Sequence, residues 1–312
     1  MARALTVQIL SLLATLVVVL TLVFVAMRAL PGDAAAILGG VDATSAQVED
    51  LRRQLGLDRP LLEQFGAWWG DVLRGDLGDS IRERRPVLQV IEDRVPVTLA
   101  LAGFAFALSL VVGLGLGLLA GRRPDSRADA GVLAFTTFGL SLPEFWFGFL
   151  LILVFAVELG WFPLIGYPTS GGAAVRAWHL VLPAVTLAIP RAAQLARLTR
   201  ARLLEELNAD YVRTARSKGV GGRTLTRHVA ANALPGLVPL LALELGGLLT
   251  GTIVVEQVFG LPGLGLTLLG SISARDYPVV QGVTIVAVLV YVLVNWLADL
   301  AQVAADPRLR YG

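Results

Sequence analysis

The sequence contains no cysteine, only two histidines (His179 and His228) and a single lysine, Lys218. The missing thiols exclude a disulfide framework, a thiolate metal site and a cysteine nucleophile. Two histidines also argue against a histidine-cluster metal site. Charge is scarce as well, because charged residues make up 16% of the chain whereas soluble domains carry about 25%. The composition therefore favours a membrane protein over a soluble enzyme.

Long uncharged runs supply much of the 55% hydrophobic content. The first run, Gln8 to Met27, is long enough to cross a hydrocarbon core of ~30 Å at ~1.5 Å per residue. A signal peptide is the alternative, but the run exceeds the usual apolar region of such peptides and no good cleavage site follows it. We therefore expect residues 1–27 to form a retained transmembrane anchor.

The next segment, residues 28–96, is charged, with nine arginines and twelve acidic residues. Its apolar residues recur at helical spacing and predict short amphipathic helices; they are Leu61, Leu62, Phe65, Trp68, Trp69 and Val72. We expect an interfacial or soluble lobe here. Five more spans are predicted at 97–120, 132–157, 179–199, 236–258 and 281–303, followed by a tail at 304–312.

Arginines in short loops predict the orientation of the six spans. They cluster on one face, at Arg3, Arg122, Arg123, Arg127, the 200–235 loop, Arg308 and Arg310, against Arg176 and Arg275 on the other. Both termini are therefore expected in the cytoplasm and the 28–96 lobe outside it.

Glycines spaced four apart predict close helix packing within the spans. They are Gly113, Gly117 and Gly121 in one span and Gly247 and Gly251 in another. The run GLGLG at 113–117 offers none of the Lys, Ser or Thr that a phosphate-binding loop needs.

The polar segment 200–235 interrupts the apolar runs and carries seven cations against three acids. Leu204, Leu207, Tyr211 and Ala215 predict an amphipathic helix that continues out of span four. Glycines 219, 221 and 222 then predict an elbow, since glycine weakens helices and permits sharp turns. A second short helix is expected from near Arg223 to Pro235, with Leu225 and Val229 on one face. The alternative is an ordinary loop whose positive charges only keep it on the cytoplasmic side, but ordered long loops usually have a function.

Several stretches together resemble one group of ATP-binding-cassette importer permeases, those for dipeptides, oligopeptides and nickel. They are DYVRTARSKG at 210–219, RHVAANALP at 227–235, LPGD at 30–33, LGLDRPLLEQF at 55–65, GDLGDS at 75–80, VFGLPGLG at 258–265 and DPRLRYG at 306–312. Against the general EAA coupling-loop pattern of such permeases, only Ala215, Gly219 and Val229 match. The long outer lobe after span one resembles that of the B-type subunit, one of the two permease subunits in such importers.

The resemblance implies an all-α polytopic membrane protein with six transmembrane helices and the type I ABC importer (MetI-like) permease fold. An extracytoplasmic helical lobe follows helix 1, and a five-helix core spans 97–303. The chain is then a non-enzymatic permease subunit in the bacterial inner membrane, most simply for di- or oligopeptides. Nickel chelates or other small solutes are the alternative cargo.

The resemblance also implies the partners. They are a homologous second permease subunit, two ABC ATPase subunits that bind ATP and Mg, an extracytoplasmic solute-binding protein and membrane lipid; no nucleic acid is expected. This chain should bind no cofactor, because its only lysine precedes Gly219, whereas a Walker A loop needs Gly-Lys followed by Ser or Thr. The residues implied in ATPase coupling are Arg213, Thr214, Ala215, Arg216, Lys218, Gly219, Val220, Arg223, Leu225, Arg227 and Val229.

Three acids within or beside the spans are candidates for the translocation pathway: Glu144, Glu244 and Glu256. Ionisable residues at membrane depth are costly and are usually functional or paired. Glu244 either lines the pathway or pairs with an arginine such as Arg191. Glu144 follows Pro143 and is expected at a helix break. For both Glu144 and Glu256, an interfacial or structural role is the alternative to cargo binding.

Two other functional classes are alternatives to the permease. A proton- or ion-coupled transporter could use the three glutamates, but no inverted repeat of the hydrophobic segments is visible and the ordered loop would lack a purpose. An intramembrane serine protease needs a serine and a histidine at mid-depth. His179 lies at a span edge, which argues against that chemistry.

Overall fold

The computed structural model describes residues 2–29, 35–36, 43–54, 56–168 and 170–305. Their secondary structure is helical apart from an isolated bridge between Asp79 and Pro86, which confirms the all-α prediction. The helices are α1 Ala2–Ala29, α2 Ser45–Gln54, α3 Leu61–Leu73, α4 Val87–Arg122, α5 Arg127–Ser141, α6 Glu144–Leu151 with a π-helical extension Ile152–Glu158, α7 Ala173–Leu207, α8 Asp210–Ser217, α9 Gly222–Ala233, a 3₁₀ turn Leu234–Leu237, α10 Val238–Phe259, α11 Leu264–Ser273 and α12 Tyr277–Ala305. The motifs at 30–33 and 306–312, with Arg308 and Arg310, lie outside the described residues.

Four helices are long and apolar enough to cross a membrane among the residues described: α4, α7, α10 and residues 277–297 of α12. Helices α5 and α6 make a fifth span if they are taken as one. In α1 the apolar helix Leu13–Ala29 is shorter than the other spans. The five predicted core spans therefore each have a helical counterpart, while the count of six stays a prediction.

The span predicted at 132–157 is sharply bent, because α5 and α6 meet at an angle of 104°. Pro143 lies between them and has no N–H to continue a helix. Leu142 before it is extended, with φ −89° and ψ 129°, as expected for a residue that precedes proline. The helix break expected beside Glu144 is confirmed.

The chain forms two compact units, one of residues 1–96 and 263–292 and the other of 97–262 and 293–312. In the first unit the GDLGDS turn is tied to Asp276, whose carboxylate accepts bonds from Ser80 Oγ (2.6 Å) and from the N–H groups of Ile81 and Arg82 (3.2 Å each). The segment after Pro262 therefore stabilises the fold of the lobe segment.

The predicted amphipathic helix in the lobe is confirmed as α3, and its aromatic face packs on α1. The ring centroids of Phe65 and Trp68 lie 5.1 and 5.8 Å from that of Phe24. Leu61 and Leu62 share the predicted pattern but remain 60% and 85% exposed. The aromatic residues, rather than the leucines, hold this helix.

The second unit has an apolar core shared by α4, α6, α7 and α10, with Leu101, Leu187, Leu248 and Phe259 buried in it. The glycine spacing in α4 is explained by α7. A Cβ at Gly113, Gly117 or Gly121 would lie within 2.9 Å of an α7 atom. The predicted close helix approach is therefore confirmed at these glycines.

Candidate coupling site and interior charge network

The polar segment folds into a helical hairpin, α8–turn–α9, between α7 and α10. The predicted helix running from α7 through Ala215 is wrong, because α7 ends at Leu207 and Ala209 is extended (φ −68°, ψ 148°) before α8. Asn208 is a weak helix former that competes for backbone bonds. Its side-chain amide donates to the Leu204 carbonyl at 3.0 Å and so satisfies one of the free carbonyls at the helix end.

The hairpin turns at Gly219, which has a φ of +77°. Its N–H donates to the Arg216 carbonyl and that of Val220 to the Ala215 carbonyl, at 3.0 and 3.1 Å. A left-handed residue of this kind commonly ends a helix and is usually glycine. Of the three predicted elbow glycines, Gly219 is the one whose conformation requires glycine, since Gly221 has a φ of −62°.

An apolar face holds the hairpin against α7. We call this the anchoring cluster; its buried members are Leu203, Val212, Leu225, Val229 and Ala233. The three from α9 recur at i, i+4 and i+8, so they share one helix face. Two of the predicted coupling residues, Leu225 and Val229, thus point inward, and Ala215 and Val220 pack against the same cluster half-buried.

Leu207 and Ala215 of the predicted apolar stripe pack against the anchoring cluster. The Tyr211 position of the stripe is wrong, since Val212 is fully buried while Tyr211 is 39% exposed. The Tyr211 hydroxyl instead donates to Glu206 Oε2 at 2.8 Å. Partial desolvation raises the pKa of this hydroxyl above its ordinary value. The break at Asn208 changes the helical phase between α7 and α8, so a single heptad-like pattern could not locate the buried residue.

The opposite face of the hairpin is basic and open, and we call it the basic face. Its exposed residues are Arg213, Thr214, Arg216, Lys218, Gly219, Arg227 and His228. Arg213 is 83% exposed and lies 3.9 Å from an equally open Asp210, a pair worth little in water. Among the described side chains, Arg216, Lys218 and Arg227 have no ion-pair partner. The side chain of Arg223 lies outside those described.

One cation of the segment is not available to a partner. Arg200 donates to both oxygens of Asp129, from Nε at 2.6 Å and from Nη2 at 2.7 Å. Asp129 is 2% exposed and also accepts the N–H of Asp125, while Ser126 caps α5 through the Asp129 N–H. Sequence reasoning missed this clamp between α5 and α7, although Ser-x-x-Asp at 126–129 is a helix-start signal.

A charge network joins α6, α7 and α10. Arg191 Nη2 lies 3.4 Å from Glu144 Oε1, and its Nη1 lies 3.7 Å from Glu244 Oε2. Glu244 is 5% exposed, whereas Glu144 and Arg191 are 25% and 23% exposed. The pairing of Glu244 with Arg191, one of the two alternatives from the sequence, is therefore present, and Glu144 joins it. Two carboxylates on one guanidinium give the network a formal charge of −1.

Two glycines of α10 make room for this network. A Cβ at Gly247 would lie 3.0 Å from Arg191 Nη1, and one at Gly251 would lie 3.2 Å from Glu144 Oε2. The predicted packing role is thus refined, because the glycines accommodate charged side chains as well as Leu187. The third candidate acid, Glu256, is fully buried and accepts a 2.6 Å bond from Thr98 Oγ1.

Apolar helices joined by an ordered basic hairpin are what the membrane component of a transporter is expected to have. Comparison with known proteins supports this class. The family described as "Binding-protein-dependent transport system inner membrane component" matches residues 113–311, and the family of the corresponding N-terminal segment matches residues 1–102. The chain belongs to this family of ABC importer permeases.

Named relatives cover almost the whole chain. A peptide transport system permease protein of Brucella abortus (strain 2308) is 40% identical over 298 residues, 95% of each chain. The glutathione transport system permease protein GsiC of Pectobacterium atrosepticum is 40% identical over 306 residues, 97% of each chain. A peptide ABC transporter permease protein of Sinorhizobium fredii is 38% identical over 307 residues, 97% of this chain and 98% of the relative.

Solved structures support the fold. The inward-facing MetNI methionine ABC transporter aligns with a TM-score of 0.57 at 22% identity, covering 70% of this chain and 97% of that one. An amino acid ABC transporter crystallised with histidines gives a TM-score of 0.54 at 18% identity, covering 69% and 94%. The predicted MetI-like permease fold is confirmed.

The chain is therefore a multi-pass inner-membrane permease subunit of an ABC importer. It is a transport subunit rather than an enzyme, and it works with ATPase and solute-binding components.

Proposed function

We propose that this permease imports small peptides and forms half of the translocation pathway beside a homologous second permease subunit. The peptide and glutathione systems of its relatives, each matched over at least 95% of this chain, support that cargo. The observation that carries the coupling role is the two-sided hairpin, with an apolar face buried on α7 and a basic face open to a partner.

In this proposal the basic face binds one of two cytosolic ATPase subunits, and the second permease chain binds the other. ATP and Mg bound by those subunits close the ATPase dimer and displace α9. Because the anchoring cluster packs α9 against Leu203 of α7, and a 3₁₀ turn leads directly into α10, displacement of α9 moves both spans. ATP binding must favour the outward-open state through differential contacts, as any population shift requires.

The orientation belongs to the same proposal. Both termini and the hairpin lie in the cytoplasm, and the lobe of residues 28–96 receives cargo from a solute-binding protein outside. The excess of short-loop arginines on the hairpin side supports this arrangement.

We further propose that Glu144 and Glu244 form the part of the pathway that meets a cationic group of the cargo. The formal −1 charge of their network with Arg191 supports this role, and so does the partial exposure of Glu144. Glu256, the third candidate acid, is completely buried against Thr98, which supports a role in holding α10 on α4 instead.

The test of coupling reverses two cations of the basic face. We expect Arg213→Glu/Arg216→Glu to insert normally but to retain at least tenfold less ATPase subunit on co-purification, because both charges are exposed. The matched control is Arg74→Glu, an arginine 79% exposed in the lobe. Unchanged ATPase recovery with the double variant would contradict the proposal.

Uptake identifies the cargo. The assembled importer is reconstituted in proteoliposomes with its binding protein, and ATP is supplied on the side that carries the ATPase subunits. It should take up labelled dipeptide, and vanadate should inhibit that uptake. Uptake of a nickel chelate but no peptide would assign the alternative cargo. Vanadate-insensitive, gradient-driven uptake by the purified chain alone would instead indicate a secondary transporter.

A further inference from the structure

The first unit has a half-open cavity of ≈ 350 Å³ between the end of α1, the α2–α3 segment and the start of α12. Arg28, Arg53 and Arg59 line it, together with Trp68, Tyr277 and Gln281. It lies in a different unit from the hairpin and from the Arg191 network. Neither the coupling role nor the pathway accounts for a cavity with three arginines.

Two buried donors in this cavity have no acceptor among the described residues. They are Nη1 of Arg28 and Nε2 of Gln281. Gln281 is 3% exposed, so bulk water does not replace the missing acceptor. Buried polar groups in folded proteins are nearly always hydrogen-bonded, and one that is not calls for a ligand, an ordered water or another explanation.

The rest of the Arg28 guanidinium is fixed. Its Nε donates to Gln64 Oε1 at 2.9 Å, and its Cζ lies 3.5 Å from the centroid of the Phe24 ring. The side chain is therefore held in one orientation with Nη1 left over. A guanidinium fixed in this way is suited to bind a planar or tetrahedral oxyanion through its remaining N–H groups.

The two lining carboxylates are already engaged within the chain. Asp76 Oδ1 accepts the N–H of Gly78 at 2.8 Å, and Asp71 Oδ1 accepts from Arg74 at 3.4 Å. Three arginines against two aspartates leave the cavity with a formal charge of +1. Free donors and net positive charge together select an acceptor-rich anion rather than a cation or an apolar solute.

The neighbouring surface favours a lipid as the bearer of that anion. Helix α3 turns Gln64, Trp68 and Asp71 toward the cavity, while Leu62 and Leu73 on another face are 85% and 81% exposed. A helix with leucines on one side and polar groups on the other is suited to lie in a membrane interface. Arg28 ends the apolar helix Leu13–Ala29, where arginines commonly reach headgroup depth.

We propose that this cavity binds the phosphate group of a phospholipid headgroup, with Arg28 Nη1 and Gln281 Nε2 as donors and Arg53 and Arg59 supplying positive charge. The bound lipid stabilises the lobe segment against α1. Inorganic phosphate presents the same phosphate oxygens and is the alternative ligand of the cavity. The site does not depend on which cargo the permease carries.

The experiment uses the assembled importer, purified in detergent and delipidated, and counts bound lipid by native mass spectrometry during titration. The probes are dioleoylphosphatidylglycerol and dioleoylglycerol, which has the same acyl chains without phosphate. We expect saturable binding of phosphatidylglycerol alone. Gln281→Glu adds a negative charge in a side chain of nearly the same size. It should weaken phosphatidylglycerol binding at least tenfold, which is about 1.4 kcal/mol or more of binding free energy.

The matched control is Gln89→Glu, the same change at an exposed glutamine of α4 that does not line the cavity. Gln281→Leu and Arg59→Gln are second variants that keep the test valid if Gln281→Glu fails to fold, and each should also weaken binding. Protection from thermal unfolding by inorganic phosphate, lost in the same variants, would support the site with the free ion as its ligand. Equal retention of both lipids, or equal phosphatidylglycerol binding by the two glutamate variants, would overturn the proposal.

Discussion

Two glycines of α4 provide a controlled test of the close approach between α4 and α7. Gly117 and Gly115 lie two residues apart in one apolar helix. A Cβ at Gly117 would lie 2.5 Å from Thr199 Cβ and 2.7 Å from the Ala196 carbonyl oxygen, whereas one at Gly115 meets nothing within 4 Å. Replacing each by alanine therefore changes helix propensity equally and changes packing at one position only.

The magnitudes follow from that difference. Alanine favours a helix over glycine by about 1 kcal/mol, so Gly115→Ala should stabilise the protein by up to that amount. At Gly117 carbon atoms would have to separate by about 1 Å to reach ordinary contact at ~3.5 Å. Gly113 and Gly121 hold the same helix against α7 on either side, so α4 cannot retreat locally. The gain in helix propensity is the same in both variants and cancels in their comparison, so with an overpacking cost of about 1–3 kcal/mol Gly117→Ala should be less stable than Gly115→Ala by about that amount.

The assay is thermal or denaturant unfolding of the detergent-purified chain, with insertion checked by membrane fractionation. Gly115→Ala should unfold at or above the wild-type midpoint, and Gly117→Ala should unfold clearly below the Gly115→Ala midpoint. Equal midpoints for the two alanine variants would refute the inference that glycine is needed for helix contact at position 117.

The other predictions concern the hairpin, the α5–α7 clamp and the lobe. Gly219→Ala should lower the stability of the protein by about 1–2 kcal/mol because position 219 has a left-handed φ, and Gly222→Ala, at a helical position, is its control. Gly219→Trp should insert in the membrane but uncouple ATP hydrolysis from uptake in proteoliposomes. Normal transport by the tryptophan variant would contradict the elbow role. Asp129→Asn should lower stability by about 3 kcal/mol because it leaves the Arg200 charge without its partner, whereas Arg202→Gln, at an exposed pair, should change the unfolding midpoint little; equal midpoints would argue against the clamp. Asp276→Ala removes three accepted bonds and should speed proteolysis at 78–86 in a time course, and an unchanged rate would show that the turn holds itself.

The outline of the fold was predictable because its signals are local. Apolar runs located the core spans, and the cationic segment with Gly219 located the hairpin. The error in the hairpin arose where asparagine interrupts a helix, because Asn208 ends α7 before the hairpin. The break at Leu142–Pro143 was expected, but its angle of 104° could not be read from the sequence. Each break resets the helical phase, so Val212 rather than Tyr211 became the buried residue of α8.

The charged side chains show where sequence reasoning ends. Arg200 and Arg213 lie in one basic segment and look alike in sequence, yet Arg200 is bound to a buried aspartate and Arg213 is 83% exposed. Arg191 could be named as a partner for Glu244, but the third member, Glu144, could not. The Gln281 cavity left no sequence signal, because its lining comes from helices at both ends of the chain.

The sequence by itself determined that this protein is a helical membrane protein with a basic hairpin that turns at a glycine, because hydropathy, helical periodicity and glycine conformation act over a few neighbouring residues; the permease function was implied by the resemblance of its motifs. Only the tertiary structure decided which charges are paired, which face of the hairpin is open and where a buried donor lacks an acceptor. Those contacts join residues 47, 71 and 196 positions apart, and their distances are set by helix packing rather than by any local pattern.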